Sequence, residues 1–316
     1  MTRVLLAIFG FLFACGASAQ SFSFALIGDT AYRPAEEPQL ENMLREIDAE
    51  KLAFVVHIGD LGSPAAGSCS DELLARRLAQ FQGLAHPLVY TPGDNEWTDC
   101  HDGQGVKGGQ PLERLRVVRE TFFKEPSSLG RRKLPLVRQS AAFPENARWE
   151  QGGVVFLTLH VVGSNNGLGR TREGDEEFVR RRDAAIAWLR AGFESARPAR
   201  AVMLILHANM YPEFPPFPGE GPKQPSGFAE VRAALESEAR AFGKPVALLH
   251  GDSHYFRVDK PLLLRRGGGA PLATLTRVES FGSPFHHWVQ VTVDARDPEV
   301  FTFRPRIVAA NVSPAR

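Results

Sequence analysis

Pro87-Leu88-Val89-Tyr90-Thr91-Pro92-Gly93-Asp94-Asn95-Glu96-Trp97 joins a short apolar run to an acidic turn. The run predicts a strand, and the turn sets a carboxylate directly after a glycine at the strand's exit. The same step recurs at Gly28-Asp29, Gly59-Asp60 and Gly251-Asp252, each time after a short apolar run. Between the first three steps lie two amphipathic stretches. Residues 36–50 put Leu40, Met43, Leu44 and Ile47 at helical spacing, and residues 71–81 do so with Leu73, Leu74, Leu78 and Phe81, behind Ser70 as a helix cap. Residues 53–58 are apolar but for His57, as a parallel strand covered on both faces would be. A β-α-β-α-β opening predicts a layered α/β domain.

The rest of the chain extends this pattern. Residues 98–109 are polar and glycine-rich, and residues 111–123 return to helical spacing. Residues 124–149 are rich in proline and basic residues, including Arg131-Arg132-Lys133, and read as a solvated connection. A strand over 154–162 leads into Gly163-Ser164-Asn165-Asn166-Gly167, where Asn165 and Asn166 are placed to hydrogen-bond a substrate. The fifth such step, Gly174-Asp175, follows no strand and reads as a helix N-terminus for residues 175–193. Residues 201–206 form a strand ending at His207. Six prolines over 212–227 argue against regular structure and for a lid or binding rim. A helix over 228–242 and a strand over 245–249 lead to His250-Gly251-Asp252-Ser253-His254, and residues 272–278, 288–293 and 300–303 read as strands without helices between them. With no internal repeat or linker, residues 20–316 are expected to form one domain.

The 316 residues carry a formal net charge of +1, so no global field points to nucleic acid or to an anionic membrane. Arg3, the apolar residues 4–14 and Ala17-Ser18-Ala19 have the pattern of a signal peptide over residues 1–19, with a lipoprotein signal at Cys15 as the rival. The apolar stretch is too short to span a bilayer, and no other segment qualifies. Export to the periplasm or the medium is therefore expected, which leaves Cys69 and Cys100 as an even pair in an oxidising compartment and predicts a disulfide.

Asp29, Asp60, Asp94, His207, Asp252 and His254 all stand at strand exits. Ligands of open α/β sheets gather beyond the carboxyl ends of strands, so these side chains are expected to converge. Taken singly, each has a plainer reading, since Asp after Gly commonly forms a turn and a histidine at a strand end commonly packs. As a set, carboxylates and imidazoles suit Mn, Fe or Zn.

In order and placement these residues resemble the calcineurin-like metallophosphoesterases, whose motifs are Asp-x-His, Gly-Asp, Gly-Asn-His-Glu/Asp, a lone His after a strand, and Gly-His-x-His. The counterparts here are Asp29-Thr30-Ala31, Gly59-Asp60, Gly93-Asp94-Asn95-Glu96, His207 and Gly251-Asp252-Ser253-His254. The resemblance runs from residue 22 to about residue 293. It implies a β-sandwich flanked by helices, in four layers, and a dinuclear centre hydrolysing a small phosphomonoester or phosphodiester. By the same resemblance Asp60 bridges two divalent ions, Asp29 and His254 complete the first site, and Asp94, His207 and Asp252 complete the second.

The sequence also departs from those motifs. Ala31 stands where the family has a histidine ligand, with Tyr32 next to it as a possible phenolate donor. Asp94 and Asp252 replace softer ligands, which favours Mn, Mg or Ca over Zn at the second site and Mn overall. Asn95 stands where the family has a histidine near the leaving group, and an amide cannot act as a general acid. His101 and His160 are the nearest substitutes by position, unless they are surface or packed histidines. The reading that follows is an exported metal-dependent phosphoesterase; the alternative is a binding protein that keeps the fold and has little or no activity.

Overall fold

The computed structural model describes residues 21–211, 225–262 and 270–312. The segment read as a signal peptide, Cys15, and most of the proline-rich rim lie outside the described residues. Two sheets form the centre of the molecule. In the first, β1 (Phe22–Ile27), β2 (Val55–His57) and β3 (Leu88–Tyr90) run parallel, and β11 (Trp288–Val293) and β12 (Phe301–Arg306) extend it antiparallel beyond β1. In the second, β6 (Val154–Thr158), β7 (Ala201–Ile205), β8 (Val246–His250) and β10 (Leu275–Glu279) run parallel, flanked by β4 (Val137–Arg138) with β5 (Ala147–Gln151) on one side and β9 (Arg257–Asp259) on the other.

Side-chain alternation explains why the sheets stack. Phe24 and Leu26 of β1 point to one face and meet Phe54, Val56, Phe156, Met203 and Leu249 between the sheets. Ala25 and Ile27 point to the other face and pack with Leu40, Met43, Ile47, Leu74 and Phe81. Those residues belong to α1 (Glu37–Ala49) and α2 (Asp71–Gly83), and α3 (Pro111–Phe122) joins them through Val118 and Phe122. Behind the second sheet, Val155, Leu157, Val202 and Leu204 pack on Trp188 and Leu189 of α5 (Arg172–Ser195) and Val231 and Leu235 of α6 (Ala229–Phe242). The result is helix, sheet, sheet, helix: an α/β sandwich, as expected. Strands buried on both faces are continuously apolar for this reason.

Most expected elements form, with bounds shifted by a few residues. Ser70 caps α2 by accepting from the Leu73 amide, and α5 starts at Arg172, capped by Thr171, so that Asp175 falls in its first turn. The main difference lies in residues 124–149, where β4 and β5 replace a plain connection. Arg148 and Glu150 alternate with buried Ala147 and Trp149, so β5 shows too few apolar residues to stand out in sequence. Of the basic run, Arg132 donates to the carbonyls of Leu52 and Ala85 at the strand entrances, the end opposite Asp29 and Asp60.

Candidate metal centre

The four Gly-Asp steps converge, and their glycines are what lets them interlock. A Cβ on Gly93 would lie 2.1 Å from Asp60 Oδ1, and one on Gly251 would lie 2.2 Å from Asp29 Oδ2. Each glycine thus opens space for the carboxylate of a different step. Gly163, which follows the strand over 154–162, plays the same part: its Cβ would meet Asp252 Oδ1 at 2.5 Å and Asp94 Oδ1 at 2.6 Å. Asp29, Asp60, Asp252 and His254 all adopt left-handed backbone with φ between 52° and 76°. Non-glycine residues in that region cost of order 1–3 kcal/mol each, and such strain is concentrated at functional sites.

His207 is the centre of one side. Its Nδ1 lies 2.8 Å from the Ile58 carbonyl, an acceptor only, so Nδ1 carries the proton and Nε2 offers a lone pair. Nε2 points to Asp94 Oδ1 at 2.8 Å, Asp60 Oδ1 at 3.5 Å and Asp252 Oδ1 at 3.8 Å. Asp94, His207 and Asp252 each have a donor atom within 4.8 Å of the others, and so do Asp29, Asp60 and His207. His254 anchors the other side in the same manner, with Nδ1 2.7 Å from the Ser283 carbonyl and Nε2 3.5 Å from Asp29 Oδ1. Tyr32 stands between the two sides. Its hydroxyl donates to Asp60 Oδ2 and lies 3.0 Å from His254 Nε2.

Electrostatics show what such a cluster lacks. Burial raises Asp29 and Asp60 well above the usual carboxylate range and raises Asp252 as well, against the pull of His207. Burial alone would lower His207, but Asp60, Asp94 and Asp29 hold it well above its ordinary value. Asp94 also feels burial, and the hydrogen bond and charge of His207 outweigh it and keep its carboxyl low. Asp29 Oδ2 is buried with no hydrogen bond, and Asp94 Oδ1 and His207 Nε2 have only each other, at 2.8 Å. A buried orphaned carboxylate oxygen beside a carboxylate–imidazole contact, on a histidine oriented through Nδ1, fits a divalent cation.

Several expected roles look different in place. The Asn95 backbone amide donates to Asp60 Oδ1 at 3.1 Å, while its side-chain amide donates to the Gly62 carbonyl at 2.9 Å. Asn165 and Asn166 are structural: Asn165 Oδ1 accepts from the Gly227 amide, and Asn166 Oδ1 accepts from the Val162 amide and from buried Arg181. Arg181 also pairs with Glu177 and so supports α4 (Gly163–Asn166), a single turn in which Ser164 and Asn165 are left-handed. His160 is fully buried with Nδ1 2.7 Å from Glu145 Oε1, and His101 accepts from the Gly103 amide. Ala31 packs among the apolar residues between helices and sheet.

One support had no clear sequence signal. Glu36 accepts from the Tyr32 amide and the Ser283 hydroxyl, and it faces His286, so it ties Tyr32 to the loop that orients His254. The expected disulfide joins Cys69 to Cys100 and flanks the Asn95 carbonyl, which accepts from Ser68 Oγ at 2.7 Å. Among the described residues, no helix is long and apolar enough to cross a membrane.

No protein-family model and no curated protein matches the chain. Among solved structures it is similar to GAP50, the anchor in the inner membrane complex of Plasmodium, at 10% identity and a TM-score of 0.47, over 91% of this chain and 89% of that one. It is similar to a 5'-nucleotidase from Candida albicans SC5314 at 12% identity and a TM-score of 0.42, over 90% of this chain and 50% of that one, so it spans half that protein's length. It is also similar to Vacuolar Protein Sorting 29 from Cryptosporidium parvum at 12% identity and a TM-score of 0.31, over 90% and 96% of the two chains. These likenesses are remote, and the centre around His207 rests on its own geometry.

Proposed function

We propose that the chain is an exported metal-dependent phosphoesterase acting on small phosphomonoesters or phosphodiesters. The observation that carries this reading is the buried cluster at the exits of parallel strands, in which Asp29 Oδ2 has no partner and Asp94 Oδ1 has only His207 Nε2. Asp60 and Asp252 would complete the seat. A divalent cation held there, with Mn favoured, supplies a Lewis acid for a phosphoryl oxygen. The chain's own part is positioning. The Asn95 amide holds Asp60, the Asn209 amide holds Asp252 Oδ2 at 3.0 Å, and the Ile58 carbonyl fixes the His207 tautomer. The disulfide is consistent with an oxidising compartment.

A second reading is a metal-binding protein that has lost efficient hydrolysis. It is favoured by one observation, the commitment of the Asn95 side chain to the Gly62 carbonyl, which leaves that position without a proton donor for a leaving group. General acid catalysis typically contributes 10²–10⁴-fold, so esters with a good leaving group are the substrates to try.

The test is hydrolysis of an activated aryl phosphate by Mn²⁺-loaded chain, compared with Asp60→Asn. Turnover abolished by Asp60→Asn supports the hydrolase. Bound Mn²⁺ without turnover moves the conclusion to the second reading. If Mn²⁺ does not bind and Asp60→Asn changes neither activity nor melting temperature, the metal centre is wrong.

A further inference from the structure

We infer that Tyr32 plugs the His254 side of the centre, so that the chain holds one divalent ion rather than the two its sequence motifs imply. This rests on the metal centre proposed above and concerns only how many cations it takes.

The inference follows from what already stands among the donor atoms. On the His254 side it is the Tyr32 phenol oxygen. Asp60 Oδ2 accepts from the Tyr32 hydroxyl, and that hydroxyl lies 3.0 Å from His254 Nε2. Asp29 Oδ1 accepts from the Asp252 amide at 3.1 Å. The Tyr32 ring stands edge-on to the His254 ring, with centroids 4.8 Å apart, and fills the space in front of it. On the His207 side no third group intervenes: Asp29 Oδ2 is buried without a partner, and Asp94 Oδ1 and His207 Nε2 have only each other, at 2.8 Å. Metal–oxygen and metal–nitrogen bonds are about 2.0–2.2 Å long, so an ion joining Asp60 Oδ2 to His254 Nε2 would have to displace the phenol oxygen lying between them.

Two neighbouring features keep the plug in place. Ala31, where the related motif has a histidine, packs among the apolar side chains and sends no donor to the site. Glu36 accepts from the Tyr32 amide at 2.9 Å and from Ser283 Oγ at 2.9 Å, which ties the plug to the loop whose carbonyl orients His254. The carboxylate that would bridge two ions is instead shared between one cation seat and a phenol.

Metal counting tests this without reference to turnover. Wild type and variants are equilibrated with excess Mn²⁺, freed of unbound metal, and measured for Mn per chain and by electron paramagnetic resonance. The expected result is one Mn per chain with the hyperfine pattern of an isolated ion. Tyr32→Ala should take up a second ion and show spin coupling, His254→Ala should keep one, and His207→Ala should keep none. The His254→Ala arm stands even if Tyr32→Ala does not fold. Two ions in wild type, a Tyr32→Ala chain that stays at one, or loss of the ion in His254→Ala each overturn the plug while leaving the metal centre intact. A visible charge-transfer band on loading with Fe³⁺ would also overturn it, by making Tyr32 a ligand. No ion in wild type overturns the metal centre itself, and the plug with it.

Discussion

His207 and His254 are prepared for the same work and end in different surroundings. Each gives its Nδ1 proton to a backbone carbonyl, at 2.8 Å and 2.7 Å, and each turns Nε2 toward the carboxylates. Around His207 the imidazole meets a carboxylate oxygen directly; around His254 a phenol stands between the imidazole and the carboxylate of Asp60. His207 is fully buried, whereas the His254 side chain keeps 24% of its exposure. Two equivalent imidazoles are thus not two equivalent metal sites. What separates them is the third group in reach, one carboxylate oxygen or one tyrosine hydroxyl.

The largest way to break this contrast is to free the loop that carries Asp94. Replacing both Cys69 and Cys100 with serine removes a link closing a loop of 31 residues, worth about 3–4 kcal/mol in the chain-entropy picture. We expect a fall of that size in chemical denaturation. Mn²⁺ affinity should fall too, because Asp94 belongs to the His207 side. Unchanged metal affinity in a destabilised variant would show that the bridge supports the fold and not the centre.

A smaller and sharper cut is Gly163→Ala. Its methyl group would press on Asp94 and Asp252 together at 2.5–2.6 Å and leave the His254 side untouched. Overpacking typically costs about 1–3 kcal/mol, so Mn²⁺ binding measured by calorimetry should weaken by about fivefold or more. Affinity equal to wild type would place the cation away from Asp94 and Asp252.

The smallest effect at neutral pH, one that grows only as pH falls, tests the scaffold behind both histidines. His57 is buried and neutral: it accepts the Gly59 amide at Nδ1 and faces Thr30 Oγ1 with Nε2, and burial lowers its pKa to about 3. A folded value below the ordinary 6.5 means the unfolded chain binds the extra proton first. Its contribution to stability is therefore complete above about pH 6.5 and is lost as pH falls toward 3. Within that window it contributes a slope of up to about 1.4 kcal/mol per pH unit. His57→Gln should flatten the measured stability–pH curve by that slope, and a curve with an unchanged slope would mean that His57 already titrates normally.

Much of this was legible in the chain itself. Alternation and apolar runs mark the strands of both sheets, because a strand buried on both faces carries a polar side chain such as His57 only where it finds a partner. Asp29, Asp60 and Asp94 stand out because each follows a glycine at a strand end. Less legible were β5, whose Arg148 and Glu150 hide its buried face, and Asn165 and Asn166, whose amides hold backbone instead of facing open solvent. Gly163 gave no sign, since its importance comes from carboxylates more than 60 residues away in either direction.

The residue types, their order and their delivery to strand exits were determined by local sequence, because the period of a strand and the turn after it are local properties. The pairing of Cys69 with Cys100 was nearly so, once residues 1–19 are read as a signal peptide that removes Cys15. Only the tertiary structure decided which donor atoms are already satisfied. Tyr32 is beside Ala31 in the chain, but whether its hydroxyl reaches Asp60 and His254 depends on the left-handed turns at Asp29, Ala31 and His254 and on the Glu36 tie to Ser283. Hydrogen-bond satisfaction is a property of three-dimensional neighbours, and it is what makes one histidine a prospective ligand and the other a partner of a phenol.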